Sequence, residues 1–182
     1  IEALKFASIW KPGKILDLGC GNCRNLLPFS EKGFECFGID FSKVMIEEAR
    51  KYDKKYNMKV ILQQASMEKL PFKNKTFDYV VSFAALHLLE TEEKRKRALQ
   101  EMRRVLKEDG LILISVWNKL QPRFIFSKKD VFVPWKIKEK AYHRYYHLFT
   151  PRELKRLLQE ENFKILKSNI LGNNLLFLLT KK

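Results

Sequence analysis

Cysteine is scarce in this chain: three in 182 residues, too few for a disulfide framework and in keeping with a reducing, cytoplasmic setting. Long apolar runs are missing as well, none approaching the ~20 residues that span a bilayer. No secretory signal is visible, and because the chain starts at Ile1 rather than methionine, residues upstream are expected. Only seven glycines and six prolines are present, which excludes a collagen-like chain. Acidic residues are in deficit: 21 Asp plus Glu stand against 36 Lys plus Arg, for a net charge of +15. A hyperthermophile surface would be closer to balance, so the excess points to a polyanion, nucleic acid first. What remains is ordinary globular composition, 46% hydrophobic and 31% charged, in a length that suits one domain over residues 1–182.

Apolar periodicity switches repeatedly along the chain. KILDL (14–18), FECFGID (34–40), Lys59 to Gln64, FDYVVSFA (77–84) and LILISVW (111–117) read as strands. Between them lie helical segments: NLLPFSEKG ending at Gly33, a helix capped by Ser42 with Val44, Met45, Ile46 and Ala49 on one face, and a helix from Thr91 to Gly110 burying Ala98, Met102, Val105 and Leu106. Thr150-Pro151-Arg152-Glu153 is a capping box with proline at the first helical position, followed by Leu154, Leu157 and Leu158. FKILKSNIL and NLLFLLT form a hairpin around Gly172-Asn173-Asn174. Alternating β and α elements with continuous apolar strands predict an α/β fold, a parallel sheet covered on both faces with an antiparallel strand at the end. Residues 119–147 show no clean period and read as an insertion.

Gly19-Cys20-Gly21-Asn22-Cys23 falls where the first strand hands over to a helix, and Asp40 ends the next strand. A glycine turn lets a ligand approach backbone, and an acid at the second strand end can accept hydrogen bonds from ribose hydroxyls. Two residues choose between nucleotides. Arg24 stands where a dinucleotide fingerprint needs a small residue, and Asp17 would set an anion beside a pyrophosphate but suits the ammonium of a methionine moiety. S-adenosylmethionine therefore fits better than NAD.

On ILDLGCGN, GIDFS, LPFKNKTFDYVVS and FAALHLL the chain resembles the class I S-adenosylmethionine-dependent methyltransferases over nearly its whole length. The resemblance implies a Rossmann-like, mostly parallel seven-stranded sheet and a cofactor site made by Asp17, Gly19, Cys20, Gly21, Asp40, Phe41, Ser66, Met67 and Phe83. Cys23 replaces the usual third glycine, and Ser66 stands where the family commonly has an acid for the adenine amine. KKDVFVPW (128–135) and HRYYHLF (143–149) are similar to the tRNA wobble-uridine carboxymethyl methyltransferases. That narrower resemblance implies a 5-carboxymethyluridine carboxylate in tRNA as acceptor and a small zinc-binding activator subunit as partner, covering apolar surface of LILISVW and VVSFAAL.

Between Lys119 and His147, lysine and arginine interleave with Phe124, Phe126, Phe132, Trp135, Tyr142, Tyr145 and Tyr146. Cations hold phosphates and rings stack on unpaired bases. Phe126, Phe132 and Phe149 are assigned to the core. Arg24, Trp117, Lys128, Lys129, Trp135, Tyr145 and His147 are the candidates for substrate binding. A carboxylate acceptor is already ionised near neutrality and asks for a positioning cation or donor rather than a base, for which His87 and Arg144 are the candidates. Cys20 and Cys23 with His143 and His147 could supply four zinc ligands, but a metal in the turn would displace the cofactor, so no metal is expected. A small-molecule methyltransferase, for instance of quinone precursors, and a catalytically silent RNA-binding subunit are the competing readings.

Overall fold

The computed structural model describes residues 2–137 and 140–182, with the side chains at 135–137 and 140–142 outside that description. Among the described residues, nine strands and five α-helices follow one another. The strands are β1 (Lys14–Leu18), β2 (Glu35–Asp40), β3 (Ile61–Gln64), β4 (Phe77–Phe83), β5 (Leu106–Trp117), β6 (Asp130–Ile137), β7 (Lys140–His147), β8 (Phe163–Asn169) and β9 (Asn174–Lys181). The helices are α1 (Glu2–Ile9), α2 (Leu27–Ser30), α3 (Lys43–Tyr56), α4 (Glu92–Val105) and α5 (Pro151–Glu160). Seven strands make one sheet in the order β3-β2-β1-β4-β5-β9-β8, while β6 and β7 pair separately. Strands β1 to β5 are parallel, and β9 runs antiparallel to both β5 and β8, as the sequence predicts.

Strand alternation decides which residues reach which layer. Leu16, Leu18, Ile112, Ile114, Phe177 and Leu179 pack against Ala98, Met102 and Val105 of α4 and Leu154, Leu157 and Leu158 of α5. Ile15, Cys36, Val81 and Leu113 face the other way, onto Phe6 of α1, Phe29 of α2 and Ile46 of α3. Helix starts follow the expected chemistry: the hydroxyls of Ser42, Thr91 and Thr150 each accept a backbone N–H, and Thr150 and Glu153 complete the capping box.

Several expectations need correction. The fourth helix stops at Val105, not Gly110, because β5 already begins at Leu106 and bulges against β4 between Phe77 and Tyr79. A side chain at Gly110 would lie 2.6 Å from Leu106 and 2.9 Å from the Asp78 carbonyl, so glycine there permits close strand packing rather than ending a helix. Val44 is exposed, since only Ile46 and Ala49 of α3 reach the core. Residues 119–147, expected to be irregular, hold a short 3₁₀ turn (Pro122–Phe124) and the β6–β7 hairpin. Phe149 is buried as expected, but Phe126 is 99% and Phe132 66% exposed; the ordered hairpin satisfies its own backbone and does not need those rings as filling. Strands β4 and β5 offer no apolar face to an activator subunit. They lie at the centre of the sheet, and Val80, Val81, Ile112, Leu113, Ile114 and Val116 are fully buried under the helices. Among the described residues, no helix is long and apolar enough to cross a membrane.

Candidate active site

The carboxyl ends of β1, β2, β4 and β5 meet at one edge of the sheet, the edge where open α/β sheets hold ligands. The turn after β1 is clamped to β2: the N–H groups of Gly19 and Cys20 donate to the Ile39 carbonyl at 2.9 and 2.8 Å. Gly21 N–H donates to Asp40 Oδ2 at 2.9 Å, and Ser42 N–H to Asp40 Oδ1 at 2.9 Å. One carboxylate thus ties the glycine turn to the start of α3 and keeps lone pairs on both oxygens for further donors. Gly21 has φ +54, and a side chain there would meet nothing within 4 Å. That open space fits a ligand laid directly against the backbone of the turn. Phe41, next to Asp40, is 78% exposed, a ring face available to a nucleobase.

Asp17 is fully buried and neither carboxylate oxygen has a partner among the described residues. Burial first, and then the negative charge of Asp40, raise its pKa from 3.8 to about 8. The native acid therefore keeps a proton that the unfolded chain loses, so stability falls as pH rises from about 4 to about 8. A cation placed near Asp17 reverses this by making the carboxylate favourable. Binding of S-adenosylhomocysteine, which carries an ammonium, is expected to release close to one proton below pH 8 and to tighten as pH approaches 8. Calorimetry in buffers of different ionisation enthalpy measures that release, and Asp17→Asn should abolish it; wild-type binding without proton release would confine Asp17 to the fold.

The other cofactor candidates divide. Cys20 is 4% exposed, its N–H is spent on Ile39, and its thiol packs on Gly38, where a side chain would come within 3.0 Å of Sγ. Its thiol shapes the turn, and its carbonyl, which accepts Cys23 N–H at 2.8 Å, keeps a second lone pair. Gly19 is likewise demanded by protein packing, since a Cβ there would sit 2.4 Å from that of Ala85. Cys23 adopts the left-handed conformation, φ 57, that a third glycine would take, and its thiol, pushed up to about 12 by burial, lies against the Ala49 carbonyl. Ser66, Met67 and Phe83 are half-buried, with the Ser66 hydroxyl accepting Glu68 N–H.

On the acceptor side, His87 is fully buried in a 3₁₀ turn after β4 (Leu86–Leu88). Its Nδ1 accepts Trp117 N–H at 3.0 Å, which puts the ring proton on Nε2, and Nε2 has no partner among the described residues. Burial, then the positive charges of Arg144 and His147, lower its pKa to about 3. His87 is therefore a neutral donor, not a cation. Tyr146 of β7 packs on it at 5.3 Å, and Arg144, two residues earlier, emerges on the same hairpin face. The structure brings these two candidates together.

Three substrate candidates are fixed in the protein instead. Trp117 is taken up by stacking on Tyr146, 4.2 Å and 2° apart, and on Phe124 at 5.6 Å, so it is a wall, not a free platform. Tyr145 directs its hydroxyl to the Glu90 carbonyl and the Asp130 carboxylate. His147 is 5% exposed and bridges two acids, Nδ1 2.8 Å from Asp130 and Nε2 3.0 Å from Glu153. Burial would raise Glu153, but hydrogen bonds from His147 and Lys129 hold it at about 2. These contacts root the hairpin at the segment leading into α4 and at α5, and Lys129 is part of the root at 3.0 Å from Glu153. Lys128 and Arg24 are exposed, and the side chain of Trp135 lies outside the described residues.

Residues that sequence reasoning missed include Asp130 and Ala84, a non-glycine at φ 54 beside the site; Glu153 reads only as the capping-box acid, and its contacts with His147 and Lys129 add a second role. No local signal marks these roles, because each depends on partners that the fold brings up.

Residues 15–110 match a family described as the methyltransferase domain. A protein of Encephalitozoon cuniculi named only as a methyltransferase is 33% identical over 175 residues, 92% of this chain and 78% of its own. The tRNA (carboxymethyluridine(34)-5-O)-methyltransferase of Saccharomyces cerevisiae is 33% identical over 125 residues, covering 66% of this chain, which spans 43% of that relative. In fold, the PH0226 protein of Pyrococcus horikoshii superposes with a TM-score of 0.81 at 24% identity, covering 100% of this chain and 88% of its own.

Proposed function

The chain belongs to the S-adenosylmethionine-dependent methyltransferase family, and from that premise we propose that it methylates the carboxylate of 5-carboxymethyluridine at the wobble position of tRNA. One observation carries the reading: in a chain of net charge +15, Arg144 of the hairpin and the unpartnered Nε2–H of neutral His87, in the turn after β4, are drawn together by the packing of Tyr146 on His87. A cation and a neutral donor recognise a carboxylate without protonating it.

S-adenosylmethionine supplies an electrophilic methyl group when bound. Asp40 would accept from its ribose hydroxyls, the open space at Gly21 would take it against backbone, Phe41 would serve the adenine and Asp17 the ammonium, with Ser66, Met67 and Phe83 lining the remainder. An acceptor carboxylate has a pKa near ~4 and needs no general base. The protein's part is to aim its oxygen at the methyl group and to keep water out. Arg144 holds the anion, His87 fixes its orientation, and the Trp117–Tyr146–Phe124 wall closes the site. Cationic Lys128 and Arg24 hold the RNA backbone. A small activator subunit is part of the proposal; edge strand β3, with Ile61 half exposed, supports a docking place for it.

With labelled S-adenosylmethionine and tRNA carrying 5-carboxymethyluridine, label should enter the RNA as an ester and be lost in mild alkali. Alkali-stable label would reassign the reaction to a base or ribose position, and label confined to small molecules would replace the RNA acceptor altogether.

A further inference from the structure

The β6–β7 hairpin is a two-stranded ribbon whose register fixes what each face carries. Val131, Val133, Arg144 and Tyr146 share the inner face, with Tyr146 seated on Trp117 and His87. Asp130, Phe132, Pro134, His143, Tyr145 and His147 share the outer face. At its root the outer face is tied down by the Asp130, Tyr145 and His147 contacts. Further along it is open: Phe132 is 66% exposed, and Pro134 and His143, opposite one another, are exposed too.

The two faces differ in kind. Aliphatic Val131 and Val133 lie on the inner side and are half-buried, whereas the open outer positions whose side chains are described, Phe132, Pro134 and His143, carry rings. The Phe132 ring is held edge-on by Tyr145 at 5.8 Å and 69°, which fixes its orientation without covering it. An ordered, uncovered ring is costly in water unless a partner covers it. Lys128 lies exposed just before β6, and Arg144 is exposed on the reverse of the ribbon. An exposed ring set among cations suits a base on a charged strand.

We infer that the outer face of this ribbon, with Phe132 and His143, is a stacking platform for unpaired nucleobases adjacent to the nucleotide being modified. The inference rests on the RNA acceptor proposed above. Arg144 on the inner face takes the target, while Phe132 and His143 take its neighbours, so the single strand wraps the ribbon. The ligand class is an unpaired RNA loop, because a duplex keeps its base faces stacked on one another.

The test is anisotropy titration of the full chain with a fluorescein-labelled RNA stem-loop, beside a fully paired duplex. Phe132→Ala should weaken stem-loop binding on the order of 10-fold and the Phe132→Ala/His143→Ala double variant further, with Phe132→Trp near wild type. Duplex binding, the salt dependence of stem-loop binding and S-adenosylhomocysteine affinity should not change. If the wild-type protein binds the stem-loop and the alanine variants match it, the platform is wrong and the RNA acceptor stands. Phe132→Trp as weak as Phe132→Ala also overturns stacking. No binding of any RNA by the wild type overturns the acceptor and the platform together.

Discussion

Gly19→Ala is expected to abolish measurable S-adenosylhomocysteine binding and to destabilise the fold by about 3 kcal/mol or more. Two costs combine. Gly19 sits at φ +71, where a side chain is strained by about 1–2 kcal/mol. Its Cβ would also stand 2.4 Å from the Cβ of Ala85, a contact that can be relieved only by moving backbone. Either segment that moves belongs to the site. One carries the N–H groups clamped to Ile39, and the other runs from strained Ala84 to His87. Urea denaturation and calorimetry measure the two effects. Gly21→Ala is the informative comparison: with nothing within 4 Å of its added carbon, it should cost about 1 kcal/mol of stability yet still obstruct the cofactor. Near wild-type stability of Gly19→Ala would show that the turn is not held as tightly as its hydrogen bonds indicate.

Arg144→Ala should lower kcat/KM for tRNA on the order of 100-fold or more while leaving S-adenosylhomocysteine affinity unchanged. The substrate anion loses its counter-charge in a partly dehydrated site, where a charge-assisted contact is worth several times its value in water. Arg144→Lys should recover part of the loss, since charge is kept but the planar fork is not. The pH profile separates Arg144 from His87. With its pKa held at about 3, His87 is neutral from pH 5 to 9, and the acceptor carboxylate is ionised over the same range. The chemical step should therefore be flat above pH 5. A rise through pH 6–7 would mean that a base is needed, and the acceptor would then be something other than a carboxylate.

The site was legible in part. Asp40 could be found because a glycine turn and an acid at consecutive strand ends are both set by local sequence; of its two backbone donors Ser42 is a close neighbour in the chain, while Gly21 is brought to it by the pairing of β1 with β2. Asp17 could be singled out but not its charge state, because a pKa near 8 follows from burial and from Asp40 across the strand pair. Tyr145, His147 and Trp117 read as binding residues on composition, since a basic, aromatic segment suggests rings offered to bases. Their partners, Glu90, Asp130, Glu153, Phe124 and Tyr146, decide that they are anchors. Phe126 and Phe132 were misread in the opposite direction, as core, when the hairpin leaves them in solvent.

By itself the sequence determined the α/β layering, the seven strands of the main sheet and the helices between them, the three capped helix starts and the glycine turn. All of these arise from periodicity, caps and turns, whose physics acts within a few residues. Only the tertiary structure decided which side of the hairpin meets His87, which acid keeps its proton and where β5 begins. Those outcomes depend on burial and on charges that the fold brings together from distant parts of the chain, and no local pattern encodes such distances.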